Sequence, residues 1–304
     1  MEEWKVPMES FTKKQFDILS YLAENPEKET TQRELAEKIN ISLGSVNKTL
    51  SSLVDLGYVD HGKITSNGLE SLEPYRVKRA IFIAAGFGSR LVPVTLNTPK
   101  PLVRVKGVRM IDTLLDAVVA AGIEDIVIVR GYLWEQFDQL LYKYPHIKFV
   151  ENPAYNESNN ISSAMYVRHL FSQSYVFDAD LVLSNPKLIT KYQYSSNYLG
   201  VPTDVTDDWC LETKKGYITR MRLGGKNCYH MFGISYWNKE DGAKLADDIK
   251  RVYDMPGGKE RYWDQVALEY FRDHYKVSIR PCSFDDIMEI DTYKDLKAVD
   301  GLYQ

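Results

Sequence analysis

The sequence predicts an α/β fold over residues 77–304, a mainly parallel (mixed) sheet with helices on both faces, preceded by a small helical domain over residues 1–76. Three observations predict it. The 304 residues exceed one typical domain of about 100–200 residues. Before residue 76, apolar residues recur at helical spacing. After it, short β-rich runs alternate with helical ones, the grammar of strands covered on both sides.

The first domain opens on Phe11, Phe16, Ile18, Leu19 and Leu22, one apolar helical face. The breaker "NPEKET" follows. Thr31, with Glu34 three residues on, reads as a capping box for "QRELAEKI". Val46, Leu50, Leu53 and Leu56 then share a face of a helix over Ser42 to Leu56. "YVDHGKITSNGLE" alternates around Gly62 like a short hairpin. Helix, turn, helix and hairpin in this order resemble a winged helix-turn-helix domain. The resemblance implies that Ser42–Leu56 is a recognition helix, with Ser45, Asn47 and Lys48 facing DNA. Charge argues against this: residues 1–75 hold 8 basic and 13 acidic side chains, a net of −5, where phosphate neutralisation needs the opposite sign. The alternative is a docking or dimerisation module that kept the fold; in the second case the partner would be another copy of the chain, a homodimer.

"EPYRVKRA" reads as the linker. Beyond it, "RAIFIA" is a strand, Met110 to Ala121 a helix and "EDIVIVR" a strand. "LWEQFDQLLYKY" is a helix and "IKFV" a strand. "SSAMYVRHLF" is a helix and "SYVFDADLVL" a single strand. In such sheets ligands bind at the carboxyl ends of the strands. Gly86, Gly131, Asn152 and Asp180 all fall there.

Whole-chain composition is that of a soluble protein, 44% hydrophobic and 26% charged, with net charge −4. No run approaches the roughly 18 apolar residues of a membrane span, so no membrane association is expected. The start "MEEWKVPMES" lacks a targeting pattern. Cys210, Cys228 and Cys282 form neither a zinc spacing nor an even disulfide framework. Unpaired thiols fit a cytoplasmic location.

The chemistry centres on "IFIAAGFGSRLVPVTLNTPKPL", residues 81–102. A dinucleotide fingerprint needs a third glycine where Leu91 stands, and a Walker loop needs a Gly-Lys-Ser/Thr that is absent. What remains is a glycine loop that wraps a triphosphate with backbone N–H groups. Gly86-x-Gly88-Ser89-Arg90, followed by Lys100 between two prolines, is the pattern of the nucleotidyltransferases that make nucleotide-activated sugars and alcohols. "GYLWEQF", "ENPAYNESNNISSAM", "YVFDADLVLSN", "RYWDQV" and "MEIDTYKDL" further resemble the bacterial CTP:phosphocholine cytidylyltransferase family, from about Ala80 to the C-terminus. The winged-helix segment lies outside that family's minimal enzyme and reads as a fusion.

The resemblance implies a Rossmann-like nucleotidyltransferase sheet and a Mg2+-dependent reaction of CTP with phosphocholine, giving CDP-choline and pyrophosphate. Ala84, Ala85, Gly86, Phe87, Gly88 and Ser89 would hold the phosphates, Arg90 the departing pyrophosphate, and Lys100 the point of transfer. Asp180 and Asp291 would hold the metal, with Asp178 behind them or in contact with the nucleotide substrate. The alternative for Asp291 is an N-cap on "TYKDLKAV". Asn159, Asn160 and Ser163 resemble the family's base-reading motif, or else cap the helix after them through Ser158 or Asn160. Gly131, Tyr132 and Asn152 complete the nucleotide set, Gly131 by allowing close approach of a ligand. Trp209, Tyr229, Tyr236, Tyr262 and Trp263, with Asp264 and Glu289, are the acceptor candidates, since aromatic faces and carboxylates hold a quaternary ammonium. A primary ammonium, as in 2-aminoethylphosphonate or phosphoethanolamine, would ask for carboxylates more than an aromatic box. Two further alternatives are a sugar-1-phosphate acceptor and a DNA-binding regulator that senses the nucleotide product.

Overall fold

A computed structural model describes residues 11–304; the opening residues, where no targeting segment is expected, lie outside the described residues. The chain divides into two units, at Arg76 and Val77.

In the first unit, four helices follow one another: α1 (Lys13–Glu24), α2 (Gln32–Ile39), α3 (Leu43–Asp55) and α4 (Ser66–Leu72). Each starts at a hydroxyl side chain, Thr12, Thr31, Ser42 and Thr65, that accepts from a backbone N–H of the first turn. The complete capping box is at Thr12 and Gln15. The one expected at Thr31 forms only half, because the Glu34 carboxylate is taken by Lys28 and the Tyr21 hydroxyl. Strands β1 (Val59–Asp60) and β2 (Lys63–Ile64) make the wing. Its turn places His61 and Gly62 at positive φ, as a two-residue hairpin requires. Phe16, Ile18, Leu19, Leu22, Leu35, Val46 and Leu53 form the core, whereas Leu56 is exposed.

The second unit is built on a seven-stranded sheet. Its strands are β3 (Arg79–Ile83), β6 (Asp125–Arg130), β7 (Lys148–Glu151), β8 (Ser174–Asp178), β10 (Asn197–Lys214), β11 (Tyr217–Trp237) and β12 (Ser278–Pro281), in the order β10-β12-β11-β8-β3-β6-β7. Strands β8, β3, β6 and β7 are parallel; β11 runs antiparallel to β8, which makes the sheet mixed. Alternate residues of β3 point into two different cores. Ala80 and Phe82 join α5 (Met110–Ala120), while Ile81 and Ile83 join α6 (Ile161–Val167) and α7 (Lys239–Asp254). This is why the strand reads as an unbroken apolar run.

Two small ladders complete the unit: β4 (Arg104–Val105) with β5 (Val108–Arg109), and β9 (Leu181–Leu183) with β13 (Ile287–Glu289), followed by α8 (Tyr293–Val299). Two expectations are corrected. "SYVFDADLVL" is two strands, broken at Ala179-Asp180, because β9 leaves the main sheet to pair with β13. "LWEQFDQLLYKY" forms a 3-10 run, Trp134–Tyr142, entered through Leu133 at positive φ with no capping side chain.

Candidate active site

A cavity of about 790 Å³ opens at the carboxyl ends of β3 and β8. Its first wall is the glycine loop. Gly88 has φ +63°, and a Cβ there would lie 2.8 Å from the Cβ of Lys100, so both backbone conformation and close approach demand glycine. A Cβ at Gly86 would meet nothing, so the fold itself does not require that glycine. Ala84, Ala85, Gly86, Phe87, Gly88, Ser89 and Arg90 all line the wall.

The floor is a charge cluster drawn from four places in the chain. Lys100 is 8% exposed. Its Nζ donates to Asp180 Oδ2 at 2.8 Å and to Asp291 Oδ1 at 3.1 Å. Arg90 pairs with the other oxygen of Asp291. The β9–β13 ladder makes this meeting possible: Leu181 pairs with Glu289, and the Ile290 N–H donates to the Asp180 carbonyl. Burial alone would lower the Lys100 pKa, but Asp180 and Asp291 outweigh it and hold the pKa above its ordinary value, so the ammonium stays charged. Thr292, not Asp291, is the N-cap of α8, which leaves Asp291 to the cluster.

Carboxylates crowd this floor. Carboxylate oxygens of Asp180, Glu289 and Asp291 lie close enough together to share one cation, and oxygens of Glu289 and Asp208 with a ring nitrogen of His230 form a second such group. Glu289 is pushed up to about 8, by burial and then by Asp180. Burial, then Asp264, raise Asp178 well above the usual range. Asp264 is pushed up to about 6 by burial, against the hydrogen bond from the Tyr198 hydroxyl, 2.8 Å away. Gly233 makes room for this: a Cβ there would sit 1.9 Å from Asp178 Oδ2. His230 is lowered by burial, and its Nδ1 lies 3.0 Å from Thr206 Oγ1.

The remaining sequence candidates divide. Asn152, Asn159, Asn160, Ser163, Trp209, Tyr262 and Asp264 line the cavity. Asn152 is fully engaged, with Nδ2 on Ser162 and Ser163 and Oδ1 on the Ala154 N–H. Asn159 is bound at both ends of its amide, to the Glu260 carbonyl and the Asn160 N–H. Asn160 makes no side-chain cap; its Oδ1 accepts from the Trp263 N–H, which fixes the amide orientation and turns its Nδ2 donors elsewhere. Gly131 and Tyr132 line a neighbouring pocket that shares Asn152 and Tyr155 with the cavity. The space beside Gly131 is filled by the Tyr155 ring, 2.7 Å from where a Cβ would be, and not left for a ligand.

Three acceptor candidates are corrected. Trp263, 1% exposed, packs against Phe171, Tyr198 and Trp237. Tyr236, 1% exposed, lies edge-on to Tyr175 in the core. Tyr229 packs on the other core cluster. None of them lines the cavity: Tyr229 and Tyr236 are turned away on β11, and Trp263 is turned inward from the segment after α7. Trp209 and Tyr262 do line it, as an edge-to-face pair 5.7 Å apart. Sequence reasoning missed Asp208, Met221, Leu223, Met231 and Gly233. All sit on the long β10–β11 hairpin, whose turn at Lys215-Gly216 was the one available signal.

A family model described as "Nucleotidyl transferase" matches residues 79–197, and one described as "MarR family" matches residues 10–64. A 2-aminoethylphosphonate cytidylyltransferase of Lancefieldella rimae is 37% identical over 228 residues, covering 74% of this chain and 92% of its own. The chain belongs to the nucleotidyltransferase family. Its second unit is a nucleotidyltransferase enzyme domain, and its first a winged-helix domain of MarR type. The nucleotidyltransferase is also similar to a choline-phosphate cytidylyltransferase of Haemophilus influenzae, 32% identical over 71% of this chain and 93% of that one. The solved CTP:phosphocholine cytidylyltransferase of Streptococcus pneumoniae superposes with a TM-score of 0.69 at 31% identity, over 75% of this chain and all of that one. Among the described residues no helix is long and apolar enough to cross a membrane.

Proposed function

We propose that the enzyme transfers the cytidylyl group of CTP to a small phosphonate or phosphomonoester bearing a primary ammonium, of the 2-aminoethylphosphonate type, releasing pyrophosphate. The observation that carries it is the Lys100 ammonium held between Asp180 and Asp291, with the glycine loop on one side and a ring of carboxylates on the other. An ionised phosphonate oxygen attacks the α-phosphorus without a general base. The chain therefore has to align the two phosphorus groups and meet the charge that develops. The loop N–H groups from Ala85 to Ser89 hold the triphosphate, Arg90 faces the leaving pyrophosphate, and Lys100 spans the point of transfer. Asn160 Nδ2 supplies donors to the pyrimidine edge. Asp180 and Asp291 are the hard oxygen donors that suit a divalent cation such as Mg2+, with Glu289 beside them. When bound, that ion neutralises phosphate charge.

The acceptor assignment follows from what lines the far end. Asp178, Asp208, Asp264 and Glu289 outnumber the two aromatics left there. A primary ammonium donates three hydrogen bonds and carboxylates accept them; a trimethylammonium donates none. The Lancefieldella rimae relative named for 2-aminoethylphosphonate supports the same choice. Phosphocholine is the second reading, favoured by the Trp209–Tyr262 pair beside Met221 and Leu223. A panel of 2-aminoethylphosphonate, phosphoethanolamine, phosphocholine and a sugar 1-phosphate, each with CTP, UTP and dTTP, decides. We expect CTP with 2-aminoethylphosphonate to give the highest kcat/KM, and Asp208→Asn to raise the KM for that acceptor by about tenfold, as loss of a charged hydrogen bond does. Equal or better turnover of phosphocholine would reverse the assignment.

For the first unit, we propose that α3 contacts DNA, with Asn47 and Lys48 exposed on it and Ser45 held by a hydrogen bond from Lys14 at 2.8 Å. The MarR-family match supports this, against the acidic charge. A gel shift with the gene's own upstream DNA should appear at about 50 mM salt and vanish by about 200 mM. No shift at the lower salt would leave the unit as a docking module.

A further inference from the structure

A separate cavity, about 470 Å³, lies against the β10–β11 hairpin. Three arginines line it: Arg220, Arg222 and Arg272. Arg220 and Arg222 flank Met221 on β11, and all three line the cavity. Arg272 comes from the segment after a short π-helix, Val266–Tyr270, where its Nη1 donates to the Thr219 carbonyl at 3.1 Å. That bond ties the third guanidinium to the hairpin.

The local charge is unlike that of the chain. Residues 213–227 hold five basic side chains and no acidic one, in a protein of net charge −4. Arg222 has a carboxylate partner, Glu212 at 2.7 Å, and Arg272 a long one, Asp273 at 3.5 Å. Arg220 has no carboxylate partner among the described residues. The single acid on the wall, Glu269, accepts from Gln265 Nε2 at 2.8 Å and pairs with no arginine. A concave site of this size, with planar guanidinium forks and an apolar floor of Met221 and Leu268, matches a small phosphorylated ligand better than an extended partner surface.

The position gives the site a consequence. Trp209 and Met221 line this cavity and the acceptor end of the active site alike. An occupant here touches the back of the wall that the acceptor's ammonium would face. We propose that this arginine-lined cavity binds a small phosphorylated molecule and that its occupancy alters acceptor binding through Trp209.

The test uses the full chain, with pyrophosphate and inorganic phosphate as probes. Calorimetric titration of pyrophosphate should give two classes of site, one of them in the active site. Arg220→Gln/Arg272→Gln should remove one class, weakening it by about tenfold or more, and leave CTP binding unchanged. A single class in the wild type, or two unchanged classes in the double variant, overturns the proposal. This binding arm does not depend on which acceptor is correct. In the kinetic arm, inorganic phosphate should shift the acceptor KM by about fivefold, the lower range of site-to-site coupling, at constant kcat, and the double variant should lose the shift. A shift that persists places the effect in the active site. If the double variant fails to fold, Arg220→Gln alone carries the test, since Arg220 is exposed and makes no ion pair among the described residues.

Discussion

Lys100→Ala is expected to lower kcat by about 10²–10³-fold, the loss typical of removing one preorganised charge from a transfer site. The ammonium is the only cation of this floor that is buried, and it lies 2.8 Å from Asp180 and 3.1 Å from Asp291. In the proposed reaction it faces the attacked phosphorus between loop and carboxylates. Arg90 cannot substitute, because its side chain is largely exposed and reaches only Asp291. The variant also leaves Asp180, Glu289 and Asp291 with less compensation. We expect a modest fall in thermal stability, reduced when the protein is assayed at a pH where the carboxylates protonate. Single-turnover release of pyrophosphate, with CTP affinity measured separately, makes the check. A loss of kcat below tenfold would remove Lys100 from the transfer step and leave it a structural counter-ion.

How much of this was legible in the sequence depends on how local each determinant is. The glycine loop was legible because the backbone writes it directly: Gly88 must be glycine at φ +63° against Lys100. The parallel strands were legible for a similar reason, since burial on both faces forces unbroken apolar runs such as Ala80–Ile83. The acceptor end was not. It is built from a hairpin of 18 and 21 residues whose alternation is disturbed by several register shifts. In the turn after α7, too, adjacent residues part company: Trp263 packs into the core while Tyr262 and Asp264 line the cavity. No spacing in the sequence marks which of three neighbours faces the ligand. Asp208 was hidden for the same reason, as one of two successive aspartates on an exposed-looking strand. Gly233 was hidden because its function is an absence, the space that Asp178 occupies.

Glu289→Gln is expected to move stability and activity in opposite directions. In the folded protein the Glu289 carboxyl is pushed up from 4.5 to about 8, first by burial and then by Asp180, with Lys100 opposing. Its folded pKa therefore lies above its unfolded one. Between those two values the folded chain holds a proton that the unfolded chain has released. The contribution of Glu289 to stability is present in full below about 4.5 and is lost as pH rises through about 8. Asp264, pushed up to about 6, and Asp178, also raised, have the same sign. The ligand-free wild type should thus melt at progressively lower temperature between pH 5.5 and 8.5. Glutamine cannot ionise. The variant should show a flatter profile and, at pH 8.5, gain about 0.5–2 kcal/mol, which is ~2–6 °C for a domain of this size. Activity should fall about 10²-fold, since the charge removed is one the site holds ready for a cation. Divalent metal or an amine acceptor should stabilise the wild type most at high pH, where Glu289 is ionised, and should stabilise the variant little at any pH. Parallel melting profiles for the two proteins would show that Glu289 is not the group that titrates. A stabilised variant with full activity would show that the crowded carboxylates are not there to receive positive charge, and the reading of this end of the cavity as an ammonium site would fall with it.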